Sequence, residues 1–141
     1  MSKMQAAIFF CFDGRLYMSK LAKLFEALGY PEGSYDHISL GGSAKDFLSP
    51  DPGAVEHMFR QIEIALKLHH IEEVVLFHHD TCGAYSIPDL AAEEKIQISD
   101  LEKIHGLINE RYPNLAVKSL IIKGTAEGDL RAEEVAFSVA A

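Results

Sequence analysis

The sequence predicts an α/β fold: a single three-layer domain with a central, mainly parallel β-sheet of about four to five strands flanked by helices. Three observations carry this. Short strand-like runs recur at residues 6–12, 36–40, 73–77 and 116–122. Segments whose apolar residues repeat at helical spacing lie between them. Each connection is long enough for the crossover that parallel strands require.

In order along the chain, residues 1–5 read as a frayed start. Residues 6–12 form a strand buried on both faces, because an unbroken apolar run fits the interior of a parallel sheet. Gly14 suits a tight strand-to-helix turn. Tyr17, Leu21, Leu24, Phe25 and Leu28 then mark one face of a helix and are assigned to the core. Gly29 stops that helix and Pro31 lies just beyond. Residues 36–40 are a short second strand, and residues 41–46 a flexible loop at its C-terminal end. No helix with phosphate-loop spacing opens there, so a phosphate-binding reading is weak.

Asp51 is an N-cap and Pro52 a first helical residue. They open a long helix with an apolar face of Val55, Met58, Phe59, Ile62, Ala65, Leu66 and His69. His69 and His70 close it, where the helix dipole favours positive charge, and read as structural or surface residues. The main strand follows at residues 73–77. Residues 84–88 form a loop at its C-terminal end, with Tyr85 either lining a pocket or packing on the loop. Residues 89–95 read as a short helix. Ser99 or Asp100 caps a further one, with a face of Leu101, Ile104, Leu107 and Ile108, and Pro113 ends it. Residues 116–122 are the last parallel strand. Gly124 and Gly128 flank a turn, and residues 130–139 form an edge strand or a terminal arm.

The chemistry concentrates where two of these strands end. Val74-Val75-Leu76-Phe77 runs into His78-His79-Asp80-Thr81-Cys82-Gly83, and Ala6-Ala7-Ile8-Phe9-Phe10 runs into Cys11-Phe12-Asp13-Gly14-Arg15. Ligands in open α/β sheets bind beyond the carboxyl ends of the strands. The chain's two cysteines both stand at such ends. If the first and third strands are neighbours at the sheet's centre, Cys11, His79 and Cys82 converge. Two thiolates and an imidazole suit a tetrahedral zinc ion, with Asp13 or water in the fourth position. Sharing one ion requires the sulfurs to lie within about 5 Å, roughly twice the Zn–S bond. Two other accounts stay open: both cysteines as buried core thiols, or the two as a redox pair, although they form no C-x-x-C motif. His78 alternates away from His79 along the strand. It is not counted as a ligand but read as a packed or solvent-facing ring, with a proton-shuttle role as the alternative.

Composition narrows the function. A chain of 141 residues, 48% hydrophobic and 24% charged, is an ordinary globular domain. A net charge of -8 argues against nucleic-acid or anionic-membrane partners. Two cysteines are no disulfide framework, which favours a reducing, cytoplasmic setting. The run at residues 6–12 is too short for a membrane span and ends in Asp13, unlike a signal peptide.

Cys11-Phe12-Asp13-Gly14-Arg15 followed at a distance by His79-Asp80-Thr81-Cys82-Gly83 resembles the β-class carbonic anhydrases. The resemblance spans roughly residues 6–124 and implies one such domain over residues 1–141. It implies Zn2+ held by Cys11, His79 and Cys82, with Asp13 as a fourth ligand in a closed site. When Arg15 pairs with Asp13 and holds it away, water takes that place. On this reading Asp13 and Arg15 are the catalytic residues, and a zinc-bound hydroxide hydrates CO2 reversibly to bicarbonate. COS and CS2 are chemically similar substrates, and a zinc-binding relative without CO2 hydration activity is the alternative. The resemblance also implies a homodimer or higher homo-oligomer. Helices usually precede the first strand in this family and clasp a partner; here the strand begins almost at once, so the dimer is expected to be built differently or to be weaker. Where the family has an Arg-Asn-Ala-Gly-type turn, this chain has Ser39-Leu40-Gly41-Gly42.

Overall fold

The computed structural model describes residues 3–137. Five strands form one sheet in the order β2-β1-β3-β4-β5. They are β1 (Ala6–Cys11), β2 (Tyr35–Leu40), β3 (Glu73–His79), β4 (Ala116–Lys123) and β5 (Arg131–Glu134). The first four run parallel, and β5 closes the edge antiparallel to β4. The helices are α1 (Met18–Ala27), α2 (Pro52–His69) and α3 (Leu90–Arg111), with a 3-10 turn at Lys45–Leu48.

Strand alternation sorts side chains into two cores. Ala7, Phe9, Val74 and Leu76 face α2 and α3, packing with Phe59, Ile62, Leu101 and Ile104. Ile8, Val75 and Phe77 face α1, packing with Leu21 and Phe25. All six residues of β1 are buried, as a strand covered on both faces should be. Phe25 pins α1 to the sheet through ring contacts with Phe10, Tyr35 and Phe77; truncating such a residue to Ala costs about 3–5 kcal/mol.

The predicted α/β class and the central β1–β3 neighbours are both present. Gly29 takes a left-handed φ of 99° just past α1, and the Asp51 carboxylate accepts the Gly53 N–H at 2.9 Å to open α2. Four expectations are corrected. Residues 89–111 do not hold two helices: α3 is continuous from its N-cap Asp89. Nothing in Ile96-Gln97-Ile98-Ser99-Asp100 breaks a helix, and Asp100 caps nothing because its side chain accepts the Tyr85 hydroxyl. Tyr17 is exposed at the N-cap of α1 instead of buried in its core face. The loop at residues 41–46 runs into the 3-10 turn. The final segment pairs only over Arg131–Glu134, and residues 138 and 139 lie outside the described residues, as do Met1 and Ser2 of the expected frayed start.

Candidate metal centre

Parallel pairing of β1 with β3 brings the C-terminal ends of both strands side by side. His79 is the last residue of β3 and Cys11 the last of β1. Cys82 follows after a tight turn in which Thr81 takes a left-handed φ of 52°. As a result Cys11 Sγ, a ring nitrogen of His79 and Cys82 Sγ all lie within 4.8 Å of one another, and all three residues are buried. That spacing is within the reach of one ion bound by both sulfurs.

The donor chemistry fits a soft, tetrahedral cation. His79 Nδ1 lies 2.7 Å from the Asp80 carbonyl. A proton donated there leaves Nε2 as a bare lone pair, and Nε2 is buried without a hydrogen-bond partner. An orphaned imidazole nitrogen beside two thiols is what a metal ligand looks like before the metal is considered. Charge adds to this. The Cys11 thiol's pKa falls well below its ordinary value, chiefly through a hydrogen bond with Cys82, against burial and with help from His79 and the backbone at Gly42 and Asp13. Cys82 moves up, because the neighbouring Cys11 sulfur and then burial oppose a second negative charge. Two sulfurs that cannot both be charged alone can both be charged around a cation. Burial opposes a charge on His79, but Cys11, the Asp80 carbonyl and Asp13 outweigh it and raise the ring's pKa.

Asp13 stands at the rim of the cluster. Its Oδ2 is 3.9 Å from His79 Nε2. Arg15 grips the carboxylate with two prongs, Nη2 to Oδ2 at 2.8 Å and Nε to Oδ1 at 3.1 Å, while the Arg15 backbone N–H adds a bond to Oδ1 at 2.9 Å. These bonds hold the Asp13 carboxyl down at about 2. Arg15 also reaches across to the other strand end, donating to the Thr81 carbonyl at 2.8 Å and to Thr81 Oγ1 at 3.2 Å. One guanidinium thereby ties both motif halves together.

His78 points to the opposite face of β3. It is 2% exposed, and its Nδ1 lies 3.2 Å from the Tyr85 hydroxyl, which donates to Asp100 Oδ2 at 2.8 Å. Burial, with a smaller push from His79 and Lys45, lowers its pKa to about 3, so it is a packed, neutral ring. Tyr85 packs on the loop and bridges it to α3.

The sequence reading missed Glu93 and Gln97. Both lie on α3, both are 1% exposed, and both bond to the backbone around Cys82 and His79. A signal was present: extending the stripe Leu101, Ile104, Ile108 backward by four-residue steps lands on Gln97 and Glu93. Polar residues on a core stripe call for a buried partner.

The mainly parallel five-stranded sheet flanked by helices is the fold of solved β-carbonic anhydrases. Carbonic anhydrase from Streptococcus mutans superposes with a TM-score of 0.64 at 18% identity, covering 96% of this chain and 83% of that one. Tetrameric β-carbonic anhydrases from Sordaria macrospora match with a TM-score of 0.65 at 14% identity, covering 99% and 84%. The chain belongs to the family described as "Putative carbonic anhydrase", which matches residues 1–130. An uncharacterised protein of Rickettsia conorii is 29% identical over 122 residues, covering 79% of this chain and 63% of that protein. The chain thus matches less than two thirds of that relative's length. Among the described residues, no helix is long and apolar enough to cross a membrane.

Proposed function

We propose that residues 1–141 act as one domain that hydrates CO2 reversibly to bicarbonate with the help of zinc. The observation that carries this reading is the meeting of two cysteine sulfurs and an orphaned His79 nitrogen within 4.8 Å, beside a carboxylate that an arginine holds back. Cys11, His79 and Cys82 would hold the ion, since soft thiolates and imidazole select zinc. Zinc, when bound, is a Lewis acid that brings the ionisation of water down to about pH 7. Arg15 would hold the Asp13 carboxylate back from the ion and so leave room for water. Asp13 Oδ2, 3.9 Å from His79 Nε2, would accept the hydrogen bond of the reacting water and orient it toward the CO2 carbon. The buried thiols support a reducing, cytoplasmic setting. A homo-oligomer is supported by the tetrameric Sordaria macrospora neighbours.

Metal analysis and stopped-flow CO2 hydration test the reading together. We expect about one zinc per chain in protein purified without chelator, and loss of most of it in Cys82→Ser. Zinc-loaded protein should accelerate CO2 hydration increasingly from about pH 6.5 to about pH 9. A rate equal to buffer throughout, with zinc bound, would leave a zinc-binding family member that does not hydrate CO2. Full metal occupancy in a Cys11→Ser, Cys82→Ser double variant would remove the site itself.

A further inference from the structure

Between His79, the last residue of β3, and Cys82 lies a strained turn, and one helix grips it at three points. Thr81 holds a left-handed φ of 52°, a conformation that a β-branched residue rarely adopts. Glu93 Oε1 accepts the Thr81 N–H at 2.7 Å, and Glu93 Oε2 accepts the Cys82 N–H at 2.9 Å. One turn further along the same helix face, Gln97 Nε2 donates to the His79 carbonyl at 2.8 Å. Glu93 and Gln97 are each 1% exposed. The buried stripe of α3 is apolar at Leu101, Ile104 and Ile108 and turns polar only where it passes this turn.

Burying a carboxylate and an amide is costly unless each is matched by hydrogen bonds. Here the matching groups are the backbones of two candidate ligands, His79 and Cys82, and of Thr81 between them. The bonds to Glu93 fix the peptide that precedes the Cys82 side chain, while Gln97 fixes the carbonyl that follows the His79 ring. Together they constrain the backbone that carries both side chains. We infer that Glu93 and Gln97 are positioning residues that hold His79 and Cys82 at metal-binding separation through the backbone of residues 79–82. This rests on the reading of Cys11, His79 and Cys82 as ligands.

The distinguishing experiment loads wild type, Glu93→Gln, Gln97→Leu and Leu101→Ala with Co2+ for absorption spectra, and measures Zn2+ affinity by competition with a chromophoric chelator. Glu93→Gln keeps shape but turns an NH2 toward one of two N–H donors. Gln97→Leu removes the donor to His79 while also deleting an Oε1 that has no partner in the fold, so it should fold even if Glu93→Gln does not. We expect Zn2+ to bind about 10–100-fold more weakly in Glu93→Gln. Gln97→Leu should change in the same direction, with a weakened thiolate-to-cobalt band in both. Leu101→Ala, on the same stripe but away from the turn, should lose stability and keep the wild-type spectrum and affinity. Unchanged spectra and affinities in the Glu93 and Gln97 variants would overturn this inference alone. A spectrum equally altered in Leu101→Ala would reduce it to general stability and overturn it too. A wild type that takes up neither metal would overturn the ligand reading and this inference with it.

Discussion

Two carboxylates stand beside the Cys11/His79/Cys82 cluster and are held in different ways. The Asp13 side chain, in the turn after β1, is 20% exposed and is held by the Arg15 side chain, itself 45% exposed, with one backbone N–H bond from the same residue. Glu93, on α3, is 1% exposed and is held by backbone N–H groups. A carboxylate whose partner is a flexible, solvent-facing side chain can be released by moving that side chain. One clamped to the main chain can be released only by moving the main chain. The first arrangement suits a gate and the second a frame.

Breaking the frame should have the larger effect. Glu93→Ala strands the buried N–H of Cys82, at about 1–3 kcal/mol, and leaves the half-buried N–H of Thr81 without its partner as well. Thermal or urea denaturation of metal-free protein should show this loss directly. A variant as stable as wild type would mean that water replaces the carboxylate, and the contrast between frame and gate would shrink to geometry.

Breaking the gate should leave the fold and the metal in place. Arg15→Ala frees Asp13 to approach the cluster and occupy the fourth position, so it should retain zinc and lose CO2 hydration. Asp13→Ala should also retain zinc through three protein ligands, and hydrate CO2 poorly because nothing orients the water. Metal content and stopped-flow rates measured on the same samples separate these outcomes. An Arg15→Ala protein with full activity would show that the ion pair is not a gate.

The Asp13–Arg15 pair was legible in the sequence and the Glu93 and Gln97 contacts were not, for a physical reason. Cys11-Phe12-Asp13-Gly14-Arg15 and His79-Asp80-Thr81-Cys82-Gly83 are contiguous, so their chemistry can be read along the chain once the strands are placed. The apolar runs placed them, because a strand buried on both faces has no polar alternation. Glu93 and Gln97 act on residues 11 to 18 positions away, across a helix–strand contact that periodicity does not report. Reading α3 as two helices hid them further, since splitting it at Ser99–Asp100 cut the stripe that joins Gln97 to Leu101. Tyr17 failed differently: its spacing matched the core face, but its place at the N-cap put it outside the packed turns.

The smallest expected effect concerns what the Asp13–Arg15 pair contributes to stability. The hydrogen bonds and charge of Arg15 lower the Asp13 carboxyl from 3.8 to about 2. A carboxylate with a depressed folded-state pKa stabilises the fold above its unfolded value, and loses that contribution as pH falls through the folded value. The difference between wild type and Arg15→Gln should therefore be flat from about pH 8 to about pH 4 and narrow below that. Its size should be modest, since an ion pair this exposed is worth about 0–1 kcal/mol after solvent screening. Raising salt to about 1 M, where the Debye length falls to about 3 Å, should reduce it further. Melting of the metal-free proteins across pH, at low and high salt, measures this. A gap of several degrees that survives both high salt and acid would mean that Arg15 stabilises the fold through its neutral contacts with Thr81, making it part of the frame as well as the gate.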